Sequence, residues 1–442
     1  RSVARGQLAT LVGAYLWLPF LFAIPFAEAV KDTSFTNAWF EMVSSFTTTG
    51  ATQYDIPGRL SPSLHLWRAL VGWMGGFFVL LSAVAVLAPL NLGGVEVLSG
   101  RVPGRGARGV EQITHAAEPA ERLIRHASTL FPAYLGLTLL LWTLLLMAGE
   151  KGLTALCLAM STLSTSGITN GEGVATASSG LITEVLLFLF MTLAITRRSM
   201  PGAVLTDRNH ALFEDHEVRL ALFFIVLVPT LLFFRHWLGA LVVDDVLNAG
   251  AAFNALWGGL FTTLSFLTTT GFESAHWQEA RSWSGLNSPG LLLLGLAMMG
   301  GGIATTAGGL KLLRVYALAR HGEREMGRLV HPSSIGGGGD SERRLRRGGA
   351  YVAWIFFMLY AITFAIVIAA LSLRGLDFEQ SLVLTIAAVT TTGPLAAMAG
   401  DAPIRMIELT LSVKAILGAA MIIGRVEILA ILALLAPGVW RR

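Results

Sequence analysis

Four short strings of threonine, serine and glycine recur along the chain, and their residue types suit the coordination of a cation. They read Ser45-Phe-Thr-Thr-Thr-Gly-Ala-Thr52, Leu163-Ser-Thr-Ser-Gly-Ile-Thr169, Leu267-Thr-Thr-Thr-Gly-Phe-Glu273 and Val389-Thr-Thr-Thr-Gly-Pro-Leu395. A bare cation enters a membrane only where oxygen atoms replace its hydration shell, and rings of backbone carbonyls do this in selective pores. Glycine lets the backbone turn its carbonyls inward, and threonine adds hydroxyl oxygens and β-branched stiffness.

One such string would be an ordinary helix cap, but four in the same context indicate a shared function. The residues expected to surround the cation are Thr48, Thr49, Gly50, Thr165, Ser166, Gly167, Thr269, Thr270, Gly271, Thr391, Thr392 and Gly393. An acidic residue follows each string: Asp55, Glu172, Glu273 and Asp401. These carboxylates either concentrate cations at a pore mouth or are solvated loop residues.

The elements that carry the strings belong to a membrane protein. Of the 442 residues 54% are apolar and only 14% charged, whereas soluble domains carry about 25% charged residues. Apolar stretches long enough to span a membrane alternate with shorter ones that end at the strings. The order long, short, long occurs four times. It predicts an all-α integral membrane protein with four parallel repeats of outer helix, re-entrant pore helix and inner helix around one ion pathway.

We expect the four repeats to occupy residues 1–95, 96–205, 206–330 and 331–442. Basic residues crowd the segments 101–125, 197–219 and 311–347 and the C-terminal Arg441-Arg442. The positive-inside rule puts these segments and the C-terminus in the cytoplasm and the strings on the outer side. The basic segments either dock a cytoplasmic partner or set the topology and contact anionic lipid.

Two further features are candidates for a gate. Five glycines lie within residues 300–309, too many for a stable helix interior, so they predict a loop that interrupts the third inner helix. The alternative is a glycine-rich packing face. Arg425 lies inside the last apolar segment, where a charge is costly and faces a polar interior, pairs with an acid such as Glu427, or reaches the interface. The candidate gate residues are Gly300, Gly301, Gly302, Thr305, Thr306, Gly308, Gly309 and Arg425.

Several segments resemble the TrkH-type potassium uptake proteins of the Trk/Ktr/HKT superfamily. They are FTTTGAT at 46–52, WRALVGWMGG at 67–76, GGGIATTAGGLKLLRVYAL at 300–318 with His331-Pro332 after it, and IGRVEILAILALLAPGVWRR at 423–442. The resemblance implies potassium uptake, with loop 300–309 closing the pore beneath the filter and Arg425 pointing into it. Gly50, where a serine accompanies sodium preference in that superfamily, implies potassium selectivity. The alternative is a proton- or sodium-coupled secondary cation transporter.

The resemblance also implies the surroundings of the protein. It implies a homodimer in lipid in a prokaryotic inner membrane, gated by a cytoplasmic nucleotide-binding ring subunit (TrkA-like). It leads us to expect a helical hairpin ahead of Arg1. The chain itself shows no nucleotide site, because the GxGxxG match at 104–109 follows no strand and no lysine precedes serine or threonine. We expect no nucleic-acid partner, no resident cofactor and no enzymatic activity. The fourth string departs from the family pattern, since Pro394 is followed by leucine and not by a second glycine.

Overall fold

The computed structural model describes residues 2–95, 97, 119–171, 173–199, 212–240, 249–285, 290–330, 349–400 and 402–435. In these ranges the chain forms helices and loops. Within each repeat a long helix is followed by a second helix that ends at a Thr–Gly string and then by a helix that returns from it. We call the second kind the string helices and the third kind the inner helices.

The helix bounds follow the predicted order. Repeat one has α1 (Ser2–Val30), α2 (Phe35–Phe46) and α3 (Pro62–Ser82), and repeat two has α4 (Pro119–Met147), α5 (Gly152–Ser164) and α6 (Leu181–Met191). Repeat three has α7 (His216–Ala240), α8 (Ala249–Leu267), α9 (Trp277–Ser284), α10 (Gly290–Met299) and α11 (Leu312–Val330). Repeat four has α12 (Gly349–Ser372), α13 (Phe378–Val389), α14 (Leu395–Met398), α15 (Leu411–Val426) and α16 (Ile428–Leu435).

Five of the described helices are long and apolar enough to cross a membrane. They are Ala4–Val30, Pro62–Leu87, Ala120–Met147, His216–Arg235 and Gly349–Ser372, and the bent pair α15–α16 makes a sixth if counted as one span. The string helices α2, α5 and α13 are shorter, as the sequence predicted. A short helix that ends at membrane depth is tolerated only where protein or water satisfies its free backbone groups.

The string helices and the inner helices pack into a closed ring. In spatial order the contacts run α2, α3, α5, α6, α8, α10, α13, α15 and back to α2. Each string helix therefore lies between its own inner helix and the inner helix of the preceding repeat. This arrangement brings the ends of all four string helices toward one central axis.

Glycines on the inner helices allow this close approach. A Cβ on Gly75 of α3 would overlap the carbonyl oxygen of Phe46, at the end of α2. A Cβ on Gly424 of α15 would overlap the carbonyl oxygen of Val389, at the end of α13. Small residues let helix backbones approach closely in membrane proteins, where packing replaces the hydrophobic effect.

The inner helices are interrupted near their ends, and the sequence predicted this only for the third. The chain leaves α10 at Met299 and resumes a helix at Leu312. After α3 a π-helical turn, Ala83–Leu87, begins to unwind the helix. The last apolar segment is also bent, because Glu427 has a positive φ of 70° and α15 and α16 meet there at 94°. Arg425 is therefore in the last turn of α15 and not at the centre of a spanning helix.

Substitution of Gly75 by alanine tests the helix packing. Gly75→Ala forces α3 away from the end of α2 and should destabilise the protein by about 1–3 kcal/mol, typical of an overpacked core. Gly136→Ala is the matched control, because a Cβ there meets nothing within 4 Å. Cys157 is fully buried and is the single cysteine of the chain, so a thiol-reactive dye reports unfolding. Equal melting temperatures for the two variants would contradict the packing described.

Candidate functional site

Each string has the same unusual backbone conformation two residues before its glycine. Thr48, Thr165, Thr269 and Thr391 all have a left-handed φ, between 50° and 58°. This region costs a residue with a Cβ roughly 1–2 kcal/mol, and its recurrence at functional sites is a recognised pattern. The turn ends the string helix, because the amide of the next residue donates back to the last helical turn, as in Thr49 N–H to Ser44 O at 2.8 Å.

The hydroxyl groups repeat a second pattern, which the sequence did not reveal. The first hydroxyl of each string donates to the carbonyl four residues earlier, over 2.7–2.9 Å: Thr47, Ser164, Thr268 and Thr390. The same hydroxyl pairs with that of the third residue, at 2.8 Å for Thr47 and Thr49 and 3.1 Å for Thr390 and Thr392. The corresponding pairs in strings two and three are both 3.0 Å apart. The first and third hydroxyls therefore bind each other and stiffen the turn.

The strings contact one another in a ring. A Cβ on Gly50 would overlap the Ser166 carbonyl oxygen, and one on Gly167 would overlap that of Thr270. On the far side of the ring, a Cβ on Gly393 would lie 2.7 Å from the Thr49 carbonyl oxygen. The third-position carbonyl of one string thus packs against the glycine of the preceding string. Gly50, Gly167 and Gly271 also have positive φ angles of 73°, 66° and 81°, so two independent constraints require glycine there.

The fourth string breaks this symmetry at its glycine. A residue before proline is restricted to extended backbone, and Gly393 is not among the residues with positive φ. Its amide instead donates to the Thr49 carbonyl at 2.6 Å. A Cβ on Gly271 would meet the ring of Pro394 at 2.8 Å, where the pattern of the other strings would put a carbonyl. Gly393 and Pro394 therefore make the fourth string differ from the others where it meets string three.

The glycine cluster forms a loop against the strings, as predicted, and not a helical packing face. Residues 300–311 leave the helix with left-handed φ angles at Gly300, Ala304 and Gly309. The Gly308 amide donates to the Thr269 hydroxyl at 2.7 Å. A Cβ on Gly308 would overlap the carbonyl oxygen of Thr390, so the loop lies directly on strings three and four. Thr305 and Thr306 are buried, at 4% exposure each.

Arg425 contacts the first string from the same side as the loop. Its guanidinium donates to the Thr48 hydroxyl, and the side chain is 7% exposed. Arg425, Lys311, Thr305 and Gly308 line one cavity with the Glu427 side chain. The alternative that Arg425 pairs with Glu427 is wrong. Glu427 binds Arg314 at 2.9 Å and accepts from the Gly93 amide at 3.1 Å.

Buried carboxylates hold the segments behind the strings, and the sequence analysis missed them. Glu41 of α2 pairs with Arg68 at 2.7 Å and accepts from the Gln53 amide at 3.1 Å. The Gln53 side chain accepts from Lys414 at 2.8 Å. These groups fix the chain that leaves the first string. A charged residue within a string helix was the available signal, because such residues are rare in membrane segments.

A similar carboxylate supports the third string. Glu184 of α6 is 1% exposed and accepts from Trp257 at 2.7 Å, from the Ser274 hydroxyl at 2.8 Å and from the Ala275 amide at 2.7 Å. It therefore links the second repeat to the segment that leaves the third string.

The acidic residues at the mouth have different surroundings. Asp55 pairs with Arg405 at 3.0 Å, so its charge is largely compensated. Glu273 accepts from the Gln278 amide group at 3.3 Å, and burial raises the pKa of its carboxyl above the usual value. Glu172 and Asp401 lie outside the described residues. Asp55 and Glu273 are therefore not in equivalent surroundings.

Comparison with known proteins identifies relatives over nearly the whole chain. Residues 20–438 match the family described as "TrkH: Cation transport protein". The "Trk system potassium uptake protein TrkH" of Escherichia coli (strain K12) is 26% identical over 98% of this chain and 84% of its own length. The "Trk system potassium uptake protein TrkI" of Halomonas elongata is 28% identical over 95% of this chain and 81% of its own.

A solved structure shares the fold. The crystal structure of the potassium transporter TrkH from Vibrio parahaemolyticus superposes with a TM-score of 0.77 at 24% identity. The match covers 99% of this chain and 86% of that one. At this identity the likeness concerns the fold, and it agrees with the predicted all-α membrane architecture.

Proposed function

Because this chain belongs to the TrkH family of cation transport proteins, we propose that it takes up potassium ions through the ring of four Thr–Gly strings. The observation that carries the proposal is the closed contact of the strings, in which three glycines pack against carbonyls of neighbouring strings. The relatives named above are called potassium uptake proteins. The alternative of a proton- or sodium-coupled carrier receives no support from the family or from the ring.

The proposed filter replaces the water around a potassium ion with backbone oxygens. The third-position carbonyls of Thr49, Ser166, Thr270 and Thr392 are the proposed ligands, together with the glycines that follow them. The string helices direct their carbonyl ends, which are partially negative, toward the same axis, and this favours a cation over an anion. Glycine at all four positions lets the backbone of each string turn its carbonyls toward the axis. We associate this pattern with selectivity for potassium over sodium.

The proposed gate consists of the loop 300–309 and Arg425. The loop lies against strings three and four, and Arg425 reaches string one from the same side. The backbone at Gly308 thus covers strings three and four, and the Arg425 guanidinium covers string one. A positive charge beside the path raises the energy of a passing cation, and low local dielectric strengthens the effect. Transport then requires the loop to move aside.

The proposed setting follows from the family and from charge placement. We propose four pore repeats over 1–95, 96–205, 206–330 and 331–442, in a prokaryotic inner membrane with the C-terminus in the cytoplasm. The relatives' names refer to a Trk system, which supports further subunits. We propose a homodimer and a cytoplasmic nucleotide-binding ring subunit (TrkA-like) that acts on the loop.

Substitution of Gly50 tests the filter. Gly50→Ser places a side chain at a φ of 73° against the Ser166 carbonyl, so the ring must distort. We expect the ratio of potassium to sodium uptake in proteoliposomes to fall about tenfold, the equivalent of about 1.4 kcal/mol. Gly136→Ser, on an open helix face, is the control. Relative uptake rates of potassium, rubidium and sodium that are the same in the Gly50→Ser variant and the parent would contradict the proposed filter.

Shortening the loop tests the gate. Deletion of residues 304–306 removes backbone beside the strings while it keeps the Gly302 and Gly308 contacts within reach. Rubidium uptake should rise several-fold with the same ion preference, because the filter itself is unaltered. Ala304→Gly, which preserves the loop length, should behave like the parent. Rubidium uptake equal to that of the parent after the deletion would contradict the proposed gating role of the loop.

Neutralising Arg425 tests the electrostatic part of the gate. Arg425→Ala should raise rubidium uptake several-fold, since the path loses a positive charge beside Thr48. Arg425→Lys retains the charge and should stay close to the parent rate. Arg405→Ala, which removes an exposed arginine at the mouth, controls for the change in net charge. A lower or equal rate in Arg425→Ala would argue for a purely structural arginine.

A further inference from the structure

The first half of the loop 300–309 is fastened by a carboxylate that the proposed gate does not use. Glu217 lies in the first turn of α7 and is fully buried. Its Oε1 accepts from the Ile303 amide at 2.8 Å. Its Oε2 lies 3.5 Å from Nη1 of Arg197, in the segment that follows α6. One side chain therefore connects the loop to the first helix of its own repeat and, through Arg197, to the end of repeat two.

A second carboxylate completes the connection. Asp215 Oδ1 accepts from the Glu217 amide at 3.1 Å, which fixes the start of α7. Asp215 Oδ2 accepts from the Thr196 hydroxyl at 3.0 Å and lies 3.3 Å from Nε of Arg198. We call Arg197, Arg198, Asp215 and Glu217 the loop junction. Its two arginines and two carboxylates balance in charge, so removal of one leaves a partner uncompensated in a buried place.

The loop itself is closely fitted to this junction. The Gly302 amide donates to the Ala194 carbonyl at 3.0 Å, and a Cβ on Gly302 would overlap the carbonyl oxygen of Ile195. The Ile303 side chain is fully buried in a small apolar cluster with Val97 and Leu313. The loop thus has one half anchored at the junction and the other half, Thr305 to Gly308, against the strings.

We infer that Glu217 is a positioning residue that holds the loop in its closed place. Through Arg197, the end of repeat two is then tied to the position of the loop. This inference rests on the proposed gate. The Glu217 side chain fixes the loop because loss of this contact leaves the buried Ile303 amide without its acceptor.

Three variants separate the two contacts of Glu217. Glu217→Ala removes both, Glu217→Gln keeps an acceptor for Ile303 but loses the attraction to Arg197, and Arg197→Gln removes the partner alone. Glu150→Gln is the matched control, because Glu150 is also a buried carboxylate but accepts from Ser179 and Thr183, away from the loop. Each variant is also made with Cys157→Ala and Thr305→Cys, so that one thiol reports the loop.

The readouts are rubidium uptake into proteoliposomes and the labelling rate of the Thr305→Cys thiol by a methanethiosulfonate reagent. We expect both to rise several-fold in Glu217→Ala, less in Glu217→Gln and Arg197→Gln, and not at all in Glu150→Gln. The potassium to sodium ratio should not change, because the strings are untouched. A general loss of stability would lower that ratio and the uptake together, so this pattern distinguishes positioning from a structural role.

The outcomes also separate this inference from the proposed function. If the 304–306 deletion raises uptake but all three junction variants match the parent in uptake and labelling, Glu217 does not hold the loop and the inference is wrong. If no variant, including the deletion, carries rubidium, the proposed function fails. Should Glu217→Ala not fold, Glu217→Gln and Arg197→Gln decide the inference alone, and parental labelling in both would overturn it.

Discussion

The structure depends on one steric constraint, the packing of a carbonyl oxygen from one string against the Cα of a glycine in the preceding string. Gly50 and Gly167 meet the carbonyls of Ser166 and Thr270, and Gly393 meets that of Thr49. A methyl group at any of these positions would separate two strings. The ring therefore closes only if all four string helices reach the axis together. The glycines of α3 and α15 that admit the ends of α2 and α13 serve the same requirement.

Closing the ring leaves the space beneath it to be filled by irregular backbone. Within a continuous helix the interior amides are bonded to the helix itself. The loop that follows α10 instead has amides available for other partners, and its Gly308 amide donates to the Thr269 hydroxyl. The kink at Glu427 ends α15 just after Arg425, whose guanidinium reaches Thr48. Buried polar groups in a membrane must be satisfied within the protein. The loop, Arg425 and the loop junction meet this requirement through contacts between repeats, which couples the proposed gate to the proposed filter.

The sequence predicted the features that are local and failed on those that join distant residues. Thr–Gly strings, the string helices and the glycine-rich loop follow from turn chemistry and hydrophobic pattern, and all are present. The left-handed threonines and the hydroxyl pairs, such as Thr47 with Thr49, did not follow, because threonine has no intrinsic preference for that region. The partners of Arg425 and Glu427 lie in other repeats, so sequence proximity suggested a pair that does not form. Buried Glu184 and Glu217 were overlooked because each accepts from a backbone amide far along the chain, 91 and 86 residues away. Glu41 accepts from an amide 12 residues away, beyond the first string.

The central claim is that a potassium-like cation binds on the axis enclosed by the four strings. Anomalous scattering from crystals of the protein grown in rubidium chloride tests it most directly. We expect a rubidium peak within coordination distance of the carbonyls of Thr49, Ser166 and Thr270. This peak should disappear when sodium replaces rubidium. Rubidium found only beside the mouth carboxylates Asp55 and Glu273, with none between the strings, would contradict it.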